Sequence, residues 1–380
     1  MNHAAIKRVL FSLLFLAFLA LPPSLAAEEI PWEWSGIEKI IVVGDIHGDY
    51  DRFIEILKAT GVVDHELHWA AGNAHFVQTG DVMDRGPDAR KIFDLLMRLE
   101  KESEEAGGKV HVLLGNHEEL NLTGSAFSNP DYVTRDQFVS FLPESYRRQQ
   151  EDSLRKKIVE ARRRGRRTSG ELSLDALWNS QLKSPSAQRL YVLNLNEEYG
   201  PWLLRLNVAI KINDVVYVHG GISEKYSKWG LKEINDRYRM ELTDICRALR
   251  NAAPPRIAQP SIVYRGDSPL WYRELATVPE EDLTEEVDAI LENLGAKAMV
   301  IAHTPKIART PKDMQRFGGR VWIVDTGIAR AYGGPASALI IQNGDFQVWG
   351  VGDENDNDSE PSRFPSFLSR RWPLLPAPAG

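Results

Sequence analysis

Five times along this chain a short run of aliphatic and β-branched residues ends and delivers Asp, His or Asn into a loop. Ile40 to Val43 runs into GDIHG at Gly44 to Gly48, and His75 to Val77 leads to GDVMDRG at Gly80 to Gly86. Val110 to Leu114 ends in GNHE at Gly115 to Glu118, Val215 to Val218 in HGG at His219 to Gly221, and Ala298 to Ala302 in His303, Thr304 and Pro305. Between the first runs lie helical stripes, Phe53, Ile56 and Leu57, then Ile92, Leu95, Leu96 and Leu99 in a helix expected to open at Pro87. Strands alternating with amphipathic helices predict an α/β fold. In such sheets ligands bind beyond the carboxyl ends of the strands, so the five tips are expected to converge on one site.

The residue types at those tips have a common chemistry. Carboxylate, imidazole and amide oxygen suit Mn, Fe or Zn, and a carboxylate can bridge two ions about 3.5–4 Å apart. The single cysteine, Cys246, excludes an internal disulfide and a thiolate cluster, so any metal must use nitrogen and oxygen donors. Asp45 and His47, two apart on one tight loop, can reach one ion; Asp81 is the natural bridge; Asn116, His219 and His303 complete a second shell. Arg85 offers a planar fork matched to phosphate oxygens. No serine or cysteine nucleophile lies in the motifs. A chain of 380 residues with 43% hydrophobic and 26% charged content is a globular protein able to bury a full core, and its net charge of −7 argues against nucleic acid as main partner.

Taken in order, GDIHG, GDVMDRG, GNHE, VHGG and IAHTP resemble the calcineurin-like metallophosphoesterases, within them the phosphoprotein phosphatase superfamily. LLGNHEELN, VHGGIS and SPLWYR (Ser268 to Arg273) resemble most its Shewanella-like protein phosphatases. The resemblance spans Ile40 to about Leu339 and implies a central β-sandwich flanked by helices (α/β/β/α) with a helical insertion. It implies two divalent ions, the first held by Asp45 and His47 with Asp81 bridging, the second by Asn116, His219 and His303. It further implies His117 as general acid oriented by Asp84, with Arg85 and Asn116 gripping the phosphoryl oxygens. A second phosphate-binding arginine is expected between His219 and His303; Arg273 is the choice, Arg265 the next. The activity implied is hydrolysis of phosphomonoesters by direct attack of metal-bound hydroxide, on phospho-Ser/Thr or phospho-Tyr in proteins. The alternatives are a small-molecule phosphatase, such as a nucleotidase or dinucleotide polyphosphate hydrolase, and a non-catalytic binding module. Two departures from the eukaryotic members stand out: Leu114 precedes GNHE where they carry arginine, and DTGIARAYGG (Asp325 to Gly334) replaces a SAPNYC-like ending.

The flanks carry other expectations. Lys7 and Arg8, the uncharged run Val9 to Leu21, then Pro22, Pro23 and Ser24 to Ala26 read as a signal peptide over residues 1–26, cleaved after Ala26. That places the mature chain in the periplasm or outside the cell without stable membrane insertion; a retained anchor is the alternative. Residues 27–351 form the expected catalytic domain, with a helical insertion or cap over 125–200. The insertion is basic, from Arg147 and Arg148 through Arg155 and Lys156 to Arg162, Arg163, Arg164, Arg166 and Arg167. It reads either as a solvated helix face or as a guide for acidic substrates. Residues 352–380 read as an acidic, then Pro-rich, tail. His65, His68, His75 and His111 receive no role, and Cys246 is assigned to packing.

Overall fold

A computed structural model describes residues 29–164, 172–256 and 261–352. The expected signal peptide, Arg166 and Arg167, and all but the first residue of the expected tail lie outside the described residues. The chain divides into two units, Met1–Trp32 and Glu33–Gly380, and every described strand and helix belongs to the second. Among the described residues, no helix is long and apolar enough to cross a membrane.

Eleven described strands form two mixed sheets. They are β1 (Glu33–Trp34), β2 (Lys39–Val43), β3 (His75–Gln78), β4 (Lys109–Val112), β5 (Ala209–Ile212), β6 (Val215–Val218), β7 (Ala298–Ile301), β8 (Gln315–Arg316), β9 (Val321–Ile323), β10 (Ala338–Gln342) and β11 (Asp345–Trp349). One sheet runs β11-β10-β2-β3-β4, the other β1-β5-β6-β7-β9-β8. Strands β2, β3 and β4 are mutually parallel, as are β6, β7 and β9. Side-chain alternation sends Ile40 and Val42 of β2, Val77 of β3 and Leu339 of β10 into one cluster with Ile210, Ile212, Val215, Tyr217 and Val300 of the other sheet. The two sheets therefore face each other across an apolar core. β2 reads as an unbroken apolar run because its other face is covered as well.

Helices supply that outer cover. α1 (Tyr50–Ala59), whose N-cap Asp49 accepts a hydrogen bond from the Arg52 amide, sets Phe53 6.2 Å from Phe76 of β3. α2 (Ala89–Glu105) buries Ile92, Phe93, Leu95, Leu96 and Leu99, each worth about 1.5–3 kcal/mol on leaving water. This helix begins two residues after Pro87 because the Asp88 amide donates to Gly48 O at 3.1 Å, tying its entry to the GDIHG loop. α3 (Asn116–Thr123) starts inside the GNHE motif itself.

Between α3 and β5 stand α4 (Arg135–Ser140), α5 (Glu144–Arg163), α6 (Leu174–Leu182), α7 (Pro185–Glu198) and α8 (Gly200–Leu203). α5 buries only Leu154, and its basic residues are partly neutralised within the helix: Arg148 by Glu144, Arg155 by Asp152 and Arg164 by Glu160. The second sheet is flanked by α9 (Glu224–Ser227), α10 (Gly230–Arg250), α11 (Glu274–Thr277) and α12 (Glu280–Leu294). Asn235 of α10 accepts from the Val208 and Ala209 amides and donates to Ala209 O, fastening that helix to β5.

Candidate active site

Parallel strands put their carboxyl ends on one edge, and the two sheets place both such edges together. Asp45 and His47 follow β2, Asp81 follows β3, Asn116 follows β4, His219 follows β6 and His303 follows β7. A sixth tip joins them, since β9 ends beside Asp325. The crowding requires glycine: a Cβ on Gly44 would stand 2.2 Å from Val324 O, and one on Gly80 2.6 Å from the Gly115 backbone at a φ of +95°. His47, Asp81, Asp84, Arg85 and His303 all adopt left-handed backbone, a conformation costing L-residues about 1–2 kcal/mol each. Glu118 offsets part of that cost, taking the Gly115 and Asp81 amides on Oε2 and the Val82 and Met83 amides on Oε1, at 2.9–3.0 Å.

Asp81 is the hub. Its Oδ1 accepts from the His117 amide at 2.9 Å, which turns Oδ2 toward three imidazoles. Oδ2 lies 3.9 Å from His47 Nε2, 3.9 Å from His117 Nε2 and 3.3 Å from His219 Nε2. Potential ligand atoms of His47, Asp81 and His117, and separately of Asp81, His219 and His303, fall within 4.8 Å of one another, so Asp81 belongs to both groups. Asp45 lies alongside, its Oδ2 4.0 Å from His47 Nε2 and its Oδ1 3.7 Å from His219 Nδ1.

Whether these residues suit two cations can be tested on unmet needs. Asp45 Oδ1 and His303 Nε2 are buried with no hydrogen-bond partner, a state that costs free energy unless a ligand satisfies them. His219 Nδ1 sits 2.9 Å from Thr79 O and His47 Nδ1 2.8 Å from Met83 O, so each donates there and leaves Nε2 with a lone pair aimed inward. Burial pushes His47 down to about 3 and His303 well below the ordinary histidine value, keeping both imidazoles neutral as metal ligation requires. Burial also favours the neutral acid at Asp81, but His219 and His117 outweigh it and hold that carboxyl well below its usual range. Burial, with Asp325 and Asp81 nearby, raises Asp45 well above it. The donor set fits hard or borderline divalent ions.

Beside this cluster stands a proton-handling pair. His117 Nδ1 is 2.6 Å from Asp84 Oδ2, both side chains being buried. Burial opposes a charged imidazole there, but Asp81 and Asp84 overcome it and raise the His117 pKa. The Arg85 guanidinium stands 5.0 Å from the ring centroids of both Tyr132 and Tyr332, and Tyr132 lies 4.6 Å from the His117 ring. Arg273 donates through Nη1 to His303 O at 3.0 Å and to Thr304 Oγ1 at 3.1 Å, next to a proposed ligand. Arg265 instead binds Asp267 at 2.9 Å. The structure thus brings Asp45, His47, Asp81, Asp84, Arg85, Asn116, His117, His219, Arg273 and His303 to one edge, and leaves Arg265 outside.

Sequence reasoning missed Asp325, which is buried near Asp45 and pushed up to about 6 mainly by burial. The signal was present: Val321 to Val324 followed by DTG repeats the strand-then-acid-then-glycine pattern. Tyr332 lies in the same DTGIARAYGG segment, read from sequence only as a departure from the eukaryotic ending. Asn121, Gln137 and Tyr191, which reach Asp84 or its partners, carry no local signature. His75 and His111, given no role, form a buried pair at 2.9 Å, well before the strand tips.

Comparison with known proteins agrees with this geometry. Residues 38–306 match the model of the calcineurin-like phosphoesterase family. An uncharacterized protein of Schizosaccharomyces pombe is 31% identical over 80% of this chain and 78% of its own length. Shewanella-like protein phosphatase 1 of Plasmodium berghei is 26% identical over 78% of this chain and 68% of its own. Among solved structures, the cold-active protein-tyrosine phosphatase of a psychrophilic Shewanella species superposes with a TM-score of 0.58 at 26% identity, covering 86% of this chain and 83% of that one. The fold, the two overlapping ligand groups and these matches together make the chain a metal-dependent phosphoesterase using two divalent ions, and it belongs to the calcineurin-like phosphoesterase family.

Proposed function

We propose that the chain hydrolyses phosphomonoesters in phosphoproteins, at phospho-Ser/Thr or phospho-Tyr, in a single displacement without a phosphoenzyme. The observation that carries this reading is the His117–Asp84 pair, buried beside the two ligand groups with Nδ1 committed to Asp84 and Nε2 facing the cluster. Such an imidazole can hold a proton at Nε2 and release it to a departing ester oxygen.

Asp45, His47 and Asp81 would hold one ion, and Asp81, Asn116, His219 and His303 the other. When bound, the ions supply Lewis acidity toward the phosphoryl oxygens and lower the pKa of a water to be used as nucleophile. Arg85, flanked by Tyr132 and Tyr332, would present donors to the equatorial phosphoryl oxygens, joined by Arg273 beside His303. Asn116 orients from the first turn of α3. Asp84 stabilises the charged imidazole and fixes its tautomer.

The named protein phosphatases among the relatives support a protein substrate over a nucleotide. Manganese, iron or zinc is the proposed native ion, on the all-nitrogen-and-oxygen donor set, and export is proposed on the composition of residues 1–26. The test is a screen on metal-reconstituted protein, comparing phosphoseryl, phosphothreonyl and phosphotyrosyl peptides with nucleotides and dinucleotide polyphosphates. Higher kcat/KM on any phosphopeptide class is the expected result; preference for nucleotides would overturn the protein-phosphatase reading.

A further inference from the structure

We infer that Gln137, supplied by the helical insertion, is a positioning residue for the general acid, acting through Asp84. The inference rests on the phosphomonoesterase reading above and assigns a catalytic contribution to the insertion.

Gln137 lies on α4, fully buried, 53 residues from Asp84 in sequence. Its amide grips Asp84 at two points. Oε1 accepts from the Asp84 backbone amide at 2.7 Å, and Nε2 donates to Asp84 Oδ1 at 2.8 Å. The amide orientation is forced, because an N–H requires the oxygen and a carboxylate requires the nitrogen. The grip falls where the backbone is least stable on its own, for Asp84 and Arg85 both sit at left-handed φ, +70° and +64°.

The remaining contacts close the arrangement without a conflicting donor or acceptor. Tyr191 of α7, also fully buried, donates to Asn121 Oδ1 at 2.7 Å and accepts from Gln137 Nε2 at 3.1 Å. Asn121 Nδ2 then donates to Asp84 Oδ2 at 2.9 Å, the oxygen that also receives His117 Nδ1. Asp84 is thereby held on both oxygens and on its own amide, leaving His117 one hydrogen-bonding direction. Networks of this kind, fully satisfied and dry, fix one geometry and respond strongly to loss of a member. Two of its four supports come from the insertion.

The consequence is a separation between binding and proton delivery. Gln137 touches neither metal ligands nor substrate, so removing it should leave metal content and KM in place while loosening the acid. Gln137→Met keeps the approximate volume and removes both hydrogen bonds to Asp84, with the one to Tyr191. It should lower kcat about 10- to 100-fold on phenyl phosphate, whose leaving group needs a proton, part of the 10²–10⁴ that a general acid contributes. On 2,4-dinitrophenyl phosphate, which leaves unprotonated, the change should stay within about 3-fold, with two ions per chain retained. In the His117→Asn background the same substitution should add less than about 2-fold, because its path runs through His117.

Equal losses on both esters, a full additional loss in the His117→Asn background, or no loss on phenyl phosphate would each overturn the inference. If Gln137→Met does not fold, Tyr191→Phe removes one hydroxyl from the same network. It should show the same leaving-group contrast at about 3- to 10-fold, and an even loss would count against the role. A readout independent of turnover completes the test. The His117 Nδ1–H proton, identified by its absence in His117→Asn, should move upfield or broaden in Gln137→Met, and an unchanged resonance overturns the inference. Failure of wild-type protein to hydrolyse either ester with metal would instead overturn the phosphatase reading, leaving the proton resonance to decide the role of Gln137.

Discussion

His219 Nε2 faces Asn116 Oδ1 at 2.9 Å, and in the tautomer that donates from Nδ1 to Thr79 both atoms are acceptors. Two lone pairs at that separation repel unless a cation lies between them, and ligands about 2.1 Å from one ion at a right angle stand about 3 Å apart. Asn116→Ala should therefore leave the metal-free protein as stable as wild type or more so. The rise in Tm on adding Mn should shrink, since stabilisation by a ligand scales with its affinity, about 2.7 kcal/mol at a hundred times Kd. Scanning calorimetry of chelated and reloaded protein measures both; an undiminished rise would remove Asn116 from the ligand set.

Asp325 is a second buried carboxylate whose charge acts on Asp45. Burial raises the Asp45 pKa and the Asp325 and Asp81 charges add to it, and a cation at Asp45 would offset that repulsion and keep it ionised. Asp325→Asn should weaken metal affinity about 10- to 100-fold, the usual effect of altering a partner of a ligand, without loss of fold. Competition with a chelator of known affinity reads this directly, and unchanged affinity would make Asp325 a packing residue.

Glu118 takes four backbone amides from two motifs. Glu118→Gln turns one acceptor edge into donors and leaves two buried amides facing an NH₂ group. The cost should be about 2–6 kcal/mol, from about 1–3 kcal/mol for each unsatisfied group. Denaturant unfolding of metal-free protein gives the value; a loss below about 1 kcal/mol would mean the loop rearranges to recover its partners.

The His75–His111 pair predicts an acid limit. Burial, with Lys109 adding to it, pushes His75 down to about 4, while burial and then His75 push His111 well below the ordinary value; the Trp34 ring packs 4.3 Å from His111. An unfolded histidine protonates near 6.5, so below that pH the unfolded chain takes up protons that the folded pair refuses. Stability associated with the pair is complete above about 6.5 and is lost as pH falls toward about 4. In metal-free protein, Tm should fall more steeply across that window in wild type than in the His75→Gln/His111→Gln variant. Superimposable slopes would contradict the assignment.

What could be read before folding was whatever repeats locally. A β-branched run, an Asp, His or Asn and a turn glycine mark the tips at Asp45, Asp81, Asn116 and His219, because strand, ligand and bend are adjacent in sequence. Asp325 carries the same signature after β9, but its segment also differs from the ending that eukaryotic members carry, which masks the match. Gln137 and Tyr191 were illegible for a physical reason: Gln137 lies 53 residues from its partner Asp84 and Tyr191 lies 70 residues from Asn121, so only tertiary packing brings them together. Strands β1 and β8, of two residues each, have no period to detect and exist through pairing with β5 and β9. The turn at Ser268 to Tyr272 carries Arg273 to His303 O and leaves Arg265 paired with Asp267, a difference that spacing alone does not show.

The central claim, two ions held at one strand edge for phosphomonoester hydrolysis, is most directly tested by exhaustive chelation followed by metal titration. Metal content by elemental analysis is followed together with hydrolysis of an aryl phosphate. The account predicts no turnover in the metal-free protein and recovery in step with occupancy, reaching two ions per chain, with Asp81→Asn binding fewer and recovering little. Full turnover in protein shown to contain no metal would contradict it.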